Sequence, residues 1–288
     1  MHIKTQRLLL FLLLGFGTWS IPYGLQAKTY NLGLRWKAGK TYYLSLNTDQ
    51  EIRQSVQGRK IKMNQTIRIG YTFNVRSVNK KGTAEVDLTY TNLYFKQRSM
   101  GRVIEYDSDR PTPSARNPLT QSFEMLVGKT LHVTITRKGK VKRFRGLDRI
   151  LKHAMRQIMS KKINPAMRKQ LKAQLMKTFG EKPMRQSIAQ MMEIYPEKPV
   201  KIGDSWQKVQ DVVAGYSMTL KRKWTLLAVR GPYAFLRVRT QILPGPSKSG
   251  LRMGPFQIHY NLRGTQKGSL FLRMSTGLIE KGQVKQKV

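Results

Sequence analysis

The sequence predicts a β-rich α+β fold, in which a long-stranded, strongly curved, half-barrel-like antiparallel sheet packs against a helical insert. Two long parts of the chain, before residue 146 and after residue 200, alternate apolar and polar residues in the manner of strands. Tight-turn sequences such as NKKG (79–82) separate these strands. Between them, in residues 147–194, the apolar residues follow helical spacing instead.

The first 27 residues have the pattern of a signal peptide. Lys4 and Arg7 precede the apolar stretch LLLFLLLGFG, which is shorter than the roughly 20 residues that a membrane span needs. We expect cleavage after Ala27 and export, most simply to the periplasm. The mature chain, residues 28–288, is predicted to be a single domain. It contains no cysteine, so disulfides cannot stabilise it.

The first β region carries a long period-two strand. In KIKMNQTIRIGYTFNVRSV, the residues from Ile61 to Val75 at every second position are apolar, apart from Gln65. The segment after NKKG returns antiparallel to this strand. Strands longer than the usual five or six residues, joined by tight turns, favour a curved sheet. Farther on, LHVTIT and VKRFRG predict a hairpin that turns at Lys138 and Gly139.

The helical insert is predicted to contain two or three helices. Leu147, Ile150, Leu151 and Ile158 form one apolar stripe, and a second helix starts at Pro165, which suits the first helical position. A third helix is expected from Pro183.

After residue 200 the alternation of strands returns. SMTLKRKWTLLAV and PYAFLRVRTQIL predict a hairpin around residues 230–232, and the closing pair of strands turns at residues 275–277.

Charge is the strongest compositional signal. The chain has 54 Lys and Arg against 15 Asp and Glu, a formal net charge of +39. Such a charge attracts polyanions, including anionic lipid, lipopolysaccharide and acidic cell-wall polymers. Export disfavours nucleic acid as the partner. Adaptation to an acidic environment, or a general basic bias of the proteome, would explain the charge equally well.

Motifs for catalysis or cofactor binding are missing from the sequence. The histidines have no metal-site spacing, and no GxSxG, cysteine nucleophile or phosphate-binding loop occurs. We therefore expect no metal and no cofactor. The one enzymatic hypothesis is a hydrolase that uses the acidic loop around Glu105, Asp107 and Asp109.

The favoured hypothesis is non-catalytic binding of an amphiphilic or polyanionic envelope component such as lipid, lipopolysaccharide or a cell-wall polymer, and the membrane surface is one such partner. A purely structural envelope protein without a ligand is the alternative. Methionines are adaptable in binding surfaces and basic residues attract anions, so the insert is the predicted site. Its candidate residues are Lys152, Met155, Arg156, Met159, Lys161, Lys162, Arg168, Lys169, Lys172 and Met176.

Several segments together resemble an uncharacterised family of exported bacterial proteins, the domain of unknown function 6263. They include LRWKAGKTYYLSL, FEMLVGKTLHVTITRKGKVKRFRG, YPEKPVKIGDSW and GSLFLRMSTGLIEKG. The resemblance implies a shared fold and assigns no catalytic residue. The closing strand pair also resembles, at the level of fold alone, the hairpins of periplasmic half-barrels that carry lipids or lipoproteins. The high basic charge departs from what the family implies.

Overall fold

The computed structural model of this chain describes residues 28–56, 59–110, 124–160, 164–213, 217–245, 251–253, 256–258 and 263–287. The predicted signal peptide, residues 1–27, lies outside the described residues. None of the described helices is long and apolar enough to cross a bilayer.

Six strands form the first antiparallel sheet, in the order β1-β2-β3-β5-β6, with β4 also paired to β3. β3 has room for two partners on one edge, because its first half pairs with β5 and its second half pairs with β4. Their bounds are β1 Thr41–Val56, β2 Arg59–Val78, β3 Ala84–Ser99, β4 Arg102–Asp107, β5 Thr130–Ile135 and β6 Val141–Arg145.

The second antiparallel sheet has the order β13-β12-β9-β8-β7, and β10 and β11 form a separate small pair. Strand β12 follows the small pair in sequence but returns to lie beside β9. The bounds are β7 Ser205–Val213, β8 Ser217–Arg230, β9 Tyr233–Pro244, β10 Leu251–Met253, β11 Phe256–Ile258, β12 Gly264–Arg273 and β13 Ile279–Lys287.

The prediction of a β-rich fold with long antiparallel strands and a helical insert is confirmed, and the strands divide between two sheets. In β2 the residues predicted to share one face do so, and Phe73 and Val75 are fully buried. Register shifts after Gly70 and after Leu226 mark bulges, which bend strands and increase their twist. Neither sheet closes on itself within the described strands.

The predicted insert, residues 147–194, contains three helices. They are α1 Leu147–Ser160, α2 Pro165–Phe179 and α3 Glu181–Met192. α2 begins at the predicted proline. α3 begins at Glu181, two residues before the predicted start at Pro183. Pro183 fits there because it lies in the first turn, where a helix needs no hydrogen bond from the backbone N–H.

One hydrophobic core joins both sheets and the helices. It includes Phe73 and Leu131 from the first sheet, Leu226 and Leu236 from the second, and Ile188 from α3, each at most 1% exposed. The helical insert is part of this core, because its buried residues belong to the same cluster as those of the sheets. Burial of apolar side chains is the main stabilising term here, since the chain has no disulfide.

A short N-terminal segment fastens the two sheets together. The Leu34 N–H donates to the Arg137 carbonyl in the β5–β6 turn, and the Arg35 N–H donates to the Thr276 carbonyl in the β12–β13 turn. Gly139 has a φ of +82°, and a Cβ there would stand 1.9 Å from the Met192 carbonyl oxygen. The predicted central hairpin is therefore a structural clamp that holds the end of α3.

Candidate anion-binding surface

The outer face of the second sheet carries basic residues in adjacent strands. Lys223 in β8 lies opposite Arg239 in β9, which lies opposite Lys267 in β12, which lies opposite Lys285 in β13. We call these four residues, which cross four neighbouring strands, the central row. All four side chains are exposed.

Two flanking rows lie beside the central row on the same face. One contains Val209, Lys221, Gln241, Thr265 and Lys287. The other contains Ser205, Thr225, Arg237, Ser269 and Gln283. With Gln207 of β7 at the end of the central row, the three rows hold fifteen residues, of which seven are basic and none is acidic. We call this surface the basic face.

The cations of the basic face have no carboxylate partner among the described residues. In the part of the chain that the structure describes, none of the seven basic residues forms an ion pair. Like charges directly opposite each other on neighbouring strands destabilise a sheet. Lys267 is opposite a cation on both sides, Arg239 and Lys285. Such a row opposes folding and favours binding of an anion.

The outer face of the first sheet provides an internal comparison, because its cations are interleaved with carboxylates. Its five rows nearest the β1–β2 turn hold six basic residues, Arg53, Lys60, Lys62, Arg68, Lys96 and Arg98, and four acidic ones, Asp49, Glu51, Glu105 and Asp107. The Lys62 Nζ lies 2.8 Å from Glu51, and the Lys96 Nζ lies 2.8 Å from Glu105. A uniform basic bias would not distribute carboxylates so unequally.

Carboxylates do occur at two borders of the basic face. Asp211 accepts a hydrogen bond from the Thr219 hydroxyl, one row beyond Val209. At the opposite end, Glu280 forms a two-bond pair with Arg273, whose guanidinium also lies 5.1 Å from the Tyr233 ring. Glu280 is thus paired with a cation, whereas Asp211 keeps its charge at the border, two rows from the central row.

The inner face of the same sheet places one cation under α3. Arg222 donates to the Gln210 side chain at 2.8 Å and to the Gln190 carbonyl at 3.3 Å. Burial lowers the pKa of Arg222 to about 10. Gln190 belongs to the last turn of α3, where unpaired carbonyls carry partial negative charge. Arg222 therefore stabilises the C-terminus of α3 and is structural.

The predicted basic residues of the insert lie on the exposed sides of two helices. Lys152 and Arg156 are exposed on α1, one turn apart, and Lys169 and Lys172 are exposed on α2. Arg168 is half-buried, and its Nε has no hydrogen-bond partner among the described residues. Their role in binding stays a prediction.

The methionines of the prediction divide between core and surface. Met155 is half-buried and packs against the core, whereas Met176 is 45% exposed. Met159 lies in α1, but its side chain is outside what the structure describes, and so are Lys161 and Lys162. The methionines whose side chains are described do not form one continuous surface, because one faces the core and the other faces solvent.

The predicted acidic loop lies mostly in strand β4, and its carboxylates at positions 105 and 107 have other partners in the structure. The Glu105 carboxylate lies 2.8 Å from the Lys96 Nζ and accepts a hydrogen bond from the Tyr94 hydroxyl at 2.8 Å. Those two contacts lower the pKa of Glu105, whereas a general acid needs a raised one. Asp107 accepts a hydrogen bond from the Asp109 N–H. No group of three or more metal-ligating side chains occurs within the described ranges.

Sequence reasoning missed the basic face, although part of its signal is visible in the printed sequence. Lys221 and Lys223, and likewise Arg237 and Arg239, are two residues apart in strands, which places each pair on one face. The missing information was the register, because sequence alone does not show that Lys267 of β12 stands between cations of β9 and β13.

Comparison with known proteins identifies the family of this chain but assigns it no activity. A family model described as "Family of unknown function (DUF6263)" matches residues 81–279, more than half of the chain. No curated protein and no solved structure matches. The matched range ends at the first residue of β13, so it includes β8, β9 and β12 of the basic face but not Lys285 or Lys287.

Proposed function

This chain belongs to the family of unknown function DUF6263, a membership that assigns no activity, and we propose that it is an exported, non-catalytic protein that binds a polyanionic component of the cell envelope. The observation that carries the proposal is the basic face, with seven cations and no carboxylate in fifteen residues. Anionic lipid, lipopolysaccharide and acidic cell-wall polymers all have the required charge.

Unequal distribution of charge supports binding over a general basic bias. A bias acting on the whole proteome would raise the number of basic residues on every surface. The first sheet instead mixes both signs, with six cations and four carboxylates on the compared rows of its outer face. Of these two outer faces, only that of the second sheet has cations without carboxylates on the compared rows, although opposed like charges disfavour folding there.

A second candidate surface is the exposed side of α1 and α2, with Lys152, Arg156, Lys169 and Lys172. It remains in the proposal because these side chains are also exposed and form no ion pair among the described residues. Two helices carry these four cations, whereas the basic face has four aligned in register across adjacent strands. We therefore place the main binding surface on the second sheet.

The test uses three variants of the mature chain that each remove four positive charges. The row-neutral variant is K223Q/R239Q/K267Q/K285Q, the helix-neutral variant is K152Q/R156Q/K169Q/K172Q, and the control is R53Q/K62Q/K96Q/R98Q on the first sheet. Binding is measured to long-chain inorganic polyphosphate and to vesicles of phosphatidylglycerol in phosphatidylcholine, at about 0.15 M salt, where the Debye length is about 8 Å.

We expect the row-neutral variant to lose at least about 10-fold in affinity for one or both probes, since three or four charge contacts disappear. The helix-neutral and control variants should retain most of the binding. Equal losses in all three variants would mean that net charge alone attracts anions, and no binding by the wild-type chain to either probe would refute the proposed function. Melting temperatures of all variants confirm that they fold.

A further inference from the structure

We infer that the partner of the basic face is an unbranched, phosphate-type polyanion that lies along the central row, across β8, β9, β12 and β13 and perpendicular to these strands. The inference rests on the proposed function and specifies the shape of its ligand. It depends on how the cations are arranged within the face, in addition to how many there are.

The cations of the basic face are concentrated along one line. The central row together with Gln207 at its end has four basic residues in five positions, whereas the flanking rows have two and one. Neighbouring strands lie about 4.8 Å apart, so the four cations stand at that spacing along a path of roughly 14 Å. Residues two apart along a strand are about 6.7 Å apart, so neighbouring positions on the face are farther apart along the strands than across them.

Neutral hydrogen-bonding side chains border the line. Thr265 and Gln241 lie on one side of the central row, and Thr225 and Ser269 lie on the other. Hydroxyl and amide groups can donate to phosphate oxygens that the cations leave unbound. A chain of anionic groups along the central row therefore meets cations beneath it and neutral donors at both edges.

A bilayer fits this face less well. Surfaces that dock on membranes combine cations with exposed aromatic or aliphatic side chains that enter the lipid boundary. The fifteen residues of the three rows include no aromatic side chain, and Val209 is their one large apolar residue. Phe235 and Phe271, in the next row, pack edge to face on each other with ring centroids 4.6 Å apart. Each ring thus already has an aromatic partner.

Single-stranded nucleic acid is also disfavoured by the same composition. Proteins that bind single strands combine basic grooves with aromatic side chains on which bases stack. The basic face supplies the charge but, in its three rows, none of the stacking surfaces. A polyanion that consists of phosphate groups without bases needs cations and hydrogen-bond donors, both of which the face provides, and needs no stacking surface.

The closing experiment compares wild type with a variant whose cations are rearranged at constant charge, and with a variant that lacks the cations of the central row. The row-broken variant R239Q/Q241R/K267Q/S269K moves one cation into each flanking row, so the net charge and the seven cations of the face are retained. Its reference is the row-neutral variant K223Q/R239Q/K267Q/K285Q. Probes are orthophosphate, pyrophosphate, long-chain polyphosphate and phosphatidylglycerol vesicles, with the melting temperature of each variant as the folding control.

We expect wild-type protein to bind long-chain polyphosphate about 100-fold or more tightly than pyrophosphate, because linked groups engage successive cations at high effective concentration. The row-broken variant should lose at least about 10-fold for the long chain, since two of four aligned contacts are displaced. Its binding to vesicles should be unchanged.

Each other outcome identifies what is wrong. If the row-broken variant binds long-chain polyphosphate like wild type while the row-neutral variant does not, the face binds polyanions without alignment and the linear inference fails. If wild type binds vesicles and not polyphosphate, the partner is an anionic bilayer and the inference fails, whereas the proposed function stands. If it binds neither probe, both fail.

Discussion

Salt dependence of polyphosphate binding measures how many cations of the basic face take part. Each phosphate that a protein neutralises on a single-stranded nucleic acid lowers the slope of log affinity against log salt by about 0.7, because condensed counterions are released. We apply that value to polyphosphate. Four contacts along the central row then give a slope of about −2.8, and contacts with all seven cations give about −4.9.

The difference between these slopes is large in a practical range of salt. Between about 50 and 200 mM, a slope near −2.8 weakens binding by about 50-fold, whereas a slope near −4.9 weakens it by about 900-fold. Lys267 is the most informative position, because it stands between Arg239 and Lys285 in the central row. Lys267→Gln should reduce the magnitude of the slope to about 2.1.

Lys221→Gln is the matched control, since Lys221 lies on the same face and two residues from Lys223 but in a flanking row. We expect its slope to equal that of wild type. The assay is a titration of fluorescently labelled polyphosphate by fluorescence anisotropy at five or more salt concentrations. A wild-type slope near −4.9, or an equal effect of Lys221→Gln and Lys267→Gln, would refute the reasoning that the central row alone holds the ligand.

Two further predictions concern the fold and the acidic loop. Tyr195 is fully buried and its hydroxyl donates to the Gly277 carbonyl at 2.7 Å, so Tyr195→Phe leaves a buried acceptor unpaired and should lower the free energy of unfolding by about 1–3 kcal/mol in urea titrations. A change below about 0.5 kcal/mol would contradict the assigned bond. The Lys96 and Tyr94 contacts lower the pKa of Glu105 in the folded state, so their stabilising effect is present above its unfolded pKa of about 4.3 and is lost as pH falls through the lower folded pKa. Melting temperatures between about pH 5 and pH 2.5 should therefore fall less steeply for Glu105→Gln than for wild type, and parallel curves would show that these exposed contacts do not stabilise the fold.

Local patterns in the sequence were sufficient to predict the type of most elements. The period-two alternation around Phe73 predicts a strand with one buried face, and the structure confirms it. Helical spacing from Leu147 and the proline at position 165 predict the insert and the start of α2. These patterns can be recognised in the sequence because they involve residues only a few positions apart. They arise because one face of each strand or helix is buried and therefore apolar.

Contacts between distant segments were not predictable in the same way. The N-terminal segment links the two sheets, since Leu34 hydrogen-bonds to a turn of the first sheet and Arg35 to a turn of the second. The partner of Arg222 at the end of α3 is likewise 32 residues away in sequence. Neither contact leaves a periodic signal.

The sequence by itself determined that this protein has an excess of 39 positive charges, carries no cysteine, and contains β regions around a helical insert. It also placed pairs of basic residues on single strand faces. Only the tertiary structure decided that Lys223, Arg239, Lys267 and Lys285 form one row, because β12 pairs with β9 after an excursion through β10 and β11. Strand register is set by core packing and turn geometry together, and a one-residue slip of β12 would move Lys267 to the opposite face.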